Sequence, residues 1–345
     1  MDIFIPGRLC LFGEHSDWAA EYRQANPNIE PGYAIVVGTN QGIYAKVKIH
    51  PNLVFQTANY SQVLELAMEE KQLLSMAKTE NFYSYVAGVA YQALIRYQVG
   101  GLAIDNYLTD LPIKKGLSSS AAICVLVARA FNHLYDLGLT IQEEMELAYR
   151  GERTTPSQCG RLDQACAYGS QPILMTFDGA QYKIKLITVA QELYLIIVDL
   201  AGSKDTQTIL TQLNQCYPTA QNSIQTQVQN YLGKMNSHLI QQAVNALQQG
   251  DKATIGDLMN QAQTEFDRCL IPACPDQLSA PILHQLLAHP ALQPHIYGGK
   301  GVGSQGDGTA QLIARDRDSQ AQAIAIIHRD FPQMHCFPLN IPQTN

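Results

Sequence analysis

Gly116-Leu117-Ser118-Ser119-Ser120-Ala121-Ala122 opens directly onto Ile123-Cys124-Val125-Leu126-Val127-Ala128-Arg129-Ala130-Phe131-Asn132-His133-Leu134-Tyr135, an apolar run with neither Pro nor Gly. The run is long enough for several turns, so a helix is predicted to start at the serines. The first N–H groups of a helix lack internal partners, and the helix dipole places about half a positive charge there. Such an end can hold phosphate. Gly116 permits close backbone approach, Ser118, Ser119 and Ser120 offer hydroxyls to phosphate or Mg²⁺, and Lys114 and Lys115 stand just upstream. The same letters also read as a serine cap before a buried helix, and the rest of the chain must decide between the two.

With 345 residues, two domains are the natural expectation. A hydrophobic content of 46%, with 15% charged residues, describes a globular chain, and a net charge of −7 argues against a general nucleic-acid or anionic-membrane surface. Any anion site must therefore be local. No apolar run reaches the ~18 to 20 residues of a membrane span, and Met1-Asp2-Ile3-Phe4 lacks the basic start of a signal peptide, so a cytoplasmic protein is expected. The eight cysteines are scattered without Cys-x-x-Cys spacing and read as reduced, mostly buried thiols.

Working outward, residues 2–12 alternate as a strand interrupted at Pro6-Gly7 and deliver Glu14-His15-Ser16-Asp17 just past Gly13. Acceptor-only carboxylates beside an imidazole suit the hydroxyls of a polar ligand, although a solvated turn has the same composition. Residues 19–31 read as a polar loop, Tyr33–Val37 and Gly42–His50 as consecutive strands, and residues 63–98 as helical. Gly101–Leu108 returns as a strand feeding the serine loop, giving the strand, turn and helix order that an anion cradle requires. A helix over about 141–153 carries Glu152, and Cys159-Gly160-Arg161-Leu162-Asp163-Gln164 follows as a loop. Three strands fill 172–200, then Gln-rich helices run from about 206 to 266, which places a domain boundary near 190.

Tyr297-Gly-Gly-Lys-Gly-Val-Gly-Ser-Gln-Gly-Asp-Gly-Thr309 contains a Gly-x-Gly-x-x-Gly pattern at Gly301, Gly303 and Gly306. A strand rather than a helix follows it, which excludes a dinucleotide fingerprint, and Lys300 is followed by Gly301 instead of the Ser or Thr of a P-loop. What remains is a flexible glycine loop able to approach phosphate or another chain segment.

Three motifs now coincide in order and spacing. Pro6-Gly7-Arg8 with Gly13-Glu14-His15-Ser16-Asp17, then Gly116–Ala122, then the loop from Gly301 to Gly308 resemble the three signatures of the GHMP small-molecule kinases. Within that family Gly-Glu-His-Ser-Asp-Trp and the Cys159–Gln164 segment look most like the galactokinase-like sugar kinases. Two stretches depart from their pattern. Ser304-Gln305 and Asp307 stand where the third motif usually reads Gly-Ala-Gly-x-Gly-Gly, and the 19–31 loop is longer than the corresponding turn.

The resemblance implies an α+β fold with a ribosomal-protein-like N-terminal domain (1–190), a ferredoxin-like C-terminal domain (191–345) and the active site between them. It implies an ATP-dependent phosphotransferase acting on an alcohol group, carrying the γ-phosphate of MgATP to a sugar hydroxyl, the anomeric one. Asp163 would take the base role with Arg8 orienting it, and Glu14, His15 and Asp17 would contact sugar hydroxyls. Lys114, Lys115, Gly116, Leu117, Ser118, Ser119, Ser120, Ala121, Gly301 and Gly303 would surround the ATP phosphates, and Ser120 and Glu152 would hold Mg²⁺. The expected partners are the sugar and ATP, with no nucleic acid and no membrane, on a monomer or homodimer. A mevalonate-type or other non-sugar kinase of this family, and a non-catalytic ATP- and sugar-binding sensor, stand as the alternatives.

Overall fold

The computed structural model describes residues 1–58, 60–111, 116–157 and 159–344, apart from the side chains of residues 60 and 61. β1 (Asp2–Phe12) leads into α1 (Ser16–Glu21), then β2 (Gly32–His50), β3 (Leu53–Thr57) and β4 (Tyr60–Leu66). Helices α2 (Glu70–Ala77) and α3 (Tyr83–Arg96) precede β5 (Gly101–Thr109), followed by α4 (Ser119–Leu134), α5 (Ile141–Thr154) and a 3-10 turn over Asp163–Tyr168. β6 (Ile173–Asp178), β7 (Gln181–Leu186) and β8 (Leu193–Asp199) come next. The helical region holds α6 (Thr206–Asn214), α7 (Ser223–Asn230), a π-helical stretch Tyr231–Met235, α8 (Asn236–Gln249), α9 (Lys252–Leu270), α10 (Pro275–Leu278) and α11 (Pro281–Leu287). β9 (Ile296–Gly301), β10 (Thr309–Ala314), α12 (Arg317–Asp330) and β11 (His335–Ile341) complete an α+β chain.

Two compact units emerge, one of Met1–Arg8 and Gly38–Ser170, the other of Leu9–Val37 and Gln171–Asn345. They differ from a chain cut at 190. The start of β2 pairs antiparallel with β6, Gly32 opposite Phe177 through Val36 opposite Ile173, which draws both segments into the second unit.

In the first unit the later part of β2 pairs antiparallel with β5, and β5 pairs parallel with β3, which in turn pairs antiparallel with β4. Helices α2, α3, α4 and α5 pack against one another. α4 is buried along almost its whole length, from Ala121 to Ala128 and from Ala130 to Asn132, as its apolar run requires of a central helix. A capping box formed by Thr140 and Glu143 sets the start of α5.

In the second unit β8, β9, β10 and β11 form an antiparallel sheet in the order β11-β8-β10-β9. Numbered within that sheet the order is 4-1-3-2, with helices between its first and second and its third and fourth strands, the βαββαβ arrangement of ferredoxin-like domains. Leu283, Leu286, Ile327 and Phe331 from the helices pack on Ile196, Val198 and Leu312 of this sheet.

Several local expectations change. β1 runs through Pro6-Gly7 without interruption, since a trans-compatible Pro and a small Gly both fit an extended strand. The two strands expected over 33–50 are one strand, because Gly38–Gly42 stays extended. Residues 63–66 belong to β4 and helix starts only at Glu70, while the polar loop after Trp18 begins as helix α1 and a 3-10 turn over Tyr22–Gln24. Ile296–Gly301, expected as loop, is a strand.

Candidate functional site

The serine loop of the first unit is pinned by β1. Arg8 N donates to Leu117 O at 2.9 Å, and a Cβ on Gly7 would stand 3.0 Å from that same carbonyl and 2.4 Å from Leu111 Cδ1. Only glycine admits this approach, which explains the letter at position 7. Ser118 takes a left-handed conformation (φ 57°) as the N-cap of α4, yet its hydroxyl does not cap the helix. Instead Ser118 Oγ donates to Asp163 Oδ1 at 2.6 Å, and Arg8 Nη2 pairs with the same oxygen. The N–H groups of the first turn, Ser119, Ser120 and Ala121, precede the first helical bond, from Ala122 N to Ser118 O, and remain available to an anion.

Asp163 sits at the head of its 3-10 turn with a side chain 27% exposed, against 7% for Arg8. Glu152, at the end of α5, is 1% exposed. It accepts from Gln164 Nε2 at 2.7 Å and Ser157 Oγ at 3.3 Å, and it shares a hydrogen bond with Ser120. Burial, then the charge of Asp163, push its carboxyl up to about 7 against the hydrogen bonds of Ser120, Gln164 and Ser157. Among the described residues no group of three His, Cys, Asp or Glu side chains forms a complete cage for a metal. Mg²⁺ needs none, because it is commonly held by one or two carboxylates together with substrate phosphates. A buried carboxylate whose charge is disfavoured, beside a second carboxylate and a serine hydroxyl, fits that ion. Lys114 and Lys115 lie outside the described residues.

A second cluster lies within the second unit. Glu14 and His15, 9% and 7% exposed, follow β1, and Asp17 stands half-buried in the first turn of α1. His15 Nδ1 accepts from Trp18 Nε1 at 3.1 Å, which puts the ring proton on Nε2. Burial, then the charge of Lys204, with a smaller contribution from Lys300, pull its pKa down to about 3, so the imidazole is neutral. Ser16 Oγ is taken by Asn236 Nδ2 at 2.7 Å and serves the fold. Glu14 Oε1 pairs with Lys300 Nζ, an almost wholly buried ion pair, and Lys300 Nζ also donates to Gly301 O at 2.9 Å. Gly301 N donates to Gln263 Oε1 at 2.7 Å, so both polar groups of Gly301 are occupied by protein, whereas Gly303 turns with φ 68° in the half-exposed loop beyond.

Each unit thus gathers part of the residues picked from the sequence: Arg8, Ser118, Ser120, Glu152 and Asp163 in the first, Glu14 and His15 in the second. Sequence reasoning missed Lys300 and Lys204 as members of the second group. For Lys300 the only linear sign was a lysine inside a glycine-rich strand, and for Lys204 a lysine following Gly202 after an apolar strand.

The chain is similar to known proteins in sequence and in fold. Residues 84–170 match the family profile described as the GHMP kinases N terminal domain. A galactokinase from Thermococcus kodakarensis is 25% identical over 290 residues, covering 77% of this chain and 77% of its own. Among solved structures, Lactococcus lactis galactokinase complexed with galactose has a TM-score of 0.75 at 16% identity, covering 99% of this chain and 93% of its own. L. major mevalonate kinase in complex with R-mevalonate has a TM-score of 0.71 at 20% identity, covering 100% and 96%.

Proposed function

We propose, on the premise that the chain belongs to the GHMP kinase family of phosphotransferases, that it transfers the γ-phosphate of ATP to a hydroxyl of a sugar or sugar derivative, the anomeric one. The observation that carries the reading is the meeting of Arg8 and Ser118 on one oxygen of Asp163 at the head of α4.

Phosphoryl transfer asks a protein mainly for positioning and charge neutralisation, because its transition state is loose. Arg8 and Ser118 both hold Asp163 Oδ1, which leaves Oδ2 to accept the proton of the attacking hydroxyl. The N–H groups of Ser119, Ser120 and Ala121, with Gly116 and Leu117 before them, face developing negative charge on the phosphates, and Lys114 and Lys115 add positive charge to the same loop. Gly303, in the loop beyond β9, serves the nucleotide's phosphates in the second unit, whereas Gly301, whose N–H and C=O are both taken by protein, does not. Ser120 and Glu152 are the Mg²⁺ positions; when bound, the ion neutralises phosphate charge. Glu14 and Asp17 accept from acceptor hydroxyls, and neutral His15 offers its Nε2 proton.

ADP release from MgATP, measured against D-galactose, other free sugars, sugar acids, mevalonate and homoserine, tests the reading. Turnover on a sugar that falls at least ~100-fold in Asp163→Asn is the expected result, the scale of a general-base contribution. Turnover on mevalonate or homoserine alone would replace the acceptor, and an Asp163→Asn enzyme retaining more than half of its activity would remove Asp163 from its role.

A further inference from the structure

We propose that Lys204 is an anion-binding residue and that the acceptor of this chain is an acidic sugar, one bearing a carboxylate or phosphate group. The inference rests on the reading of Glu14 and His15 as acceptor contacts. It starts from geometry within the second unit. After β8 the chain runs Leu200-Ala201-Gly202-Ser203-Lys204 along the glycine loop, with Leu200 N donating to Gly308 O at 3.1 Å. A Cβ on Gly308 would lie 2.5 Å from Lys204 Cε and 2.8 Å from Nζ, and a Cβ on Gly202 would lie 2.4 Å from Asp307 O. Gly202 is demanded by its approach to the Asp307 carbonyl, and the lack of a side chain at Gly308 leaves the space that the end of the Lys204 side chain occupies.

The charges nearby do not satisfy that lysine. Glu14 Oε1 is already taken by Lys300, and His15 is neutral. Asp307 Oδ1 accepts from Leu283 N at 2.9 Å near the start of α11, and Asp205 Oδ1 accepts from Gln207 N and Thr208 N as the cap of α6. Asp199 Oδ1 accepts from Ala201 N at 3.1 Å. Lys204 itself is half-buried and makes no hydrogen bond or ion pair among the described residues. Burial pushes its amine down to about 8, while the charge of Glu14 pulls it back up, so at neutral pH it remains mostly protonated. Two ammonium groups then share one carboxylate in a poorly hydrated place, an excess of positive charge that costs free energy until an anion arrives. A carboxylate or phosphate on the ligand would complete the set through a charge-assisted hydrogen bond. A neutral sugar would leave it incomplete.

Isothermal titration of the whole chain, free of nucleotide, with D-galacturonate, D-galactose 6-phosphate and D-galactose tests this directly. At least one acid should bind 10-fold or more tightly than galactose, and the two acids separate carboxylate from phosphate recognition. Lys204→Met should abolish that preference, Lys204→Arg should restore part of it, and ATP affinity should be the same in all three proteins. Equal affinity for galactose and both acids, or no measurable binding of either acid, overturns the proposal. So does a Lys204→Met protein whose only defect is weaker ATP binding, which would assign the lysine to the nucleotide. Because binding is read without turnover, the kinase reading and this one fail separately: acid binding without phosphorylation sinks the first, and phosphorylation of neutral sugars alone sinks the second.

Discussion

The two clusters solve opposite electrostatic problems. In the first unit an excess of negative charge, Asp163 beside Glu152, is held by one arginine and by neutral donors, so that the buried Glu152 carboxyl is pushed toward protonation. In the second, Lys300 and Lys204 stand around Glu14: burial, then the charges of Lys204 and Lys300, lower the pKa of His15, and burial lowers that of Lys204 against the pull of Glu14. On the proposed reading the first cluster would take a cation and the second an anion. The difference teaches where ligand charge is to be expected in each unit, since a protein leaves a buried charge uncompensated at a cost it recovers when the partner binds.

The contrast breaks most severely at Lys300. Its side chain is 2% exposed and the Glu14 side chain 7%, so removing the lysine leaves a buried carboxylate without its ion-pair partner. Lys300→Met should destabilise the chain by about 3–5 kcal/mol, the usual cost of stranding one member of a buried pair. Denaturant unfolding of Lys300→Met, Glu14→Gln and the double variant reads it. The double variant should recover a large part of the loss, and strictly additive effects would mean that the two side chains do not depend on each other.

This same pair explains what the sequence left hidden. The serine loop was legible because its chemistry is local, a glycine for approach and hydroxyls at a helix start, whereas Arg8 and Asp163 were picked only through the resemblance of their short motifs to the GHMP kinases. Lys300 and Glu14 are far apart along the chain and meet only through the fold, so no spacing rule could join them. Lys204 was hidden for a different reason, since the space it occupies is left by the absence of a side chain at Gly308. The glycine-rich letters from 297 to 309 signalled flexibility, whereas the structure uses their first part as strand β9 and their last as a cradle. Secondary structure failed in the same way. The alternating burial of Leu53, Phe55 and Thr57 marks β3, yet this short strand between β4 and β5 is missing from the sequence reading, which also extends the helical pattern of α2 and α3 back into β4.

On the negative side of the comparison, Glu152→Gln removes a charge but keeps the shape and most hydrogen-bonding capacity. If the first cluster is a cation site, the Mg²⁺ concentration giving half-maximal turnover should rise about 10- to 100-fold, the range seen when groups that hold or orient a metal are altered. Thermal stability without Mg²⁺ should stay level or increase, because the substitution relieves a buried carboxyl already pushed up to about 7 by burial and by Asp163. A variant that loses stability while its Mg²⁺ dependence is unchanged would make Glu152 a structural anchor for Gln164 and Ser157 instead.

The smallest effect sharpens the positive side. His15 has a folded pKa of about 3 against an ordinary value of 6.5, because burial and the two lysines oppose its protonation. The unfolded chain therefore takes up a proton below pH 6.5 that the folded chain refuses, and stability must fall as pH falls from 6.5 toward 3. Between pH 6.5 and 5.5 this single group accounts for about 1 kcal/mol of the loss, with the full contribution present above pH 6.5. His15→Gln should flatten the stability curve by that amount in that window. Lys204 is the first neighbouring charge after burial to oppose protonation of His15, so in Lys204→Met the histidine should protonate at a higher pH and the loss of stability should end sooner on the acid side. An unchanged stability curve in both variants would detach His15 from the lysines, and with it the claim that the second unit's cluster is organised around surplus positive charge.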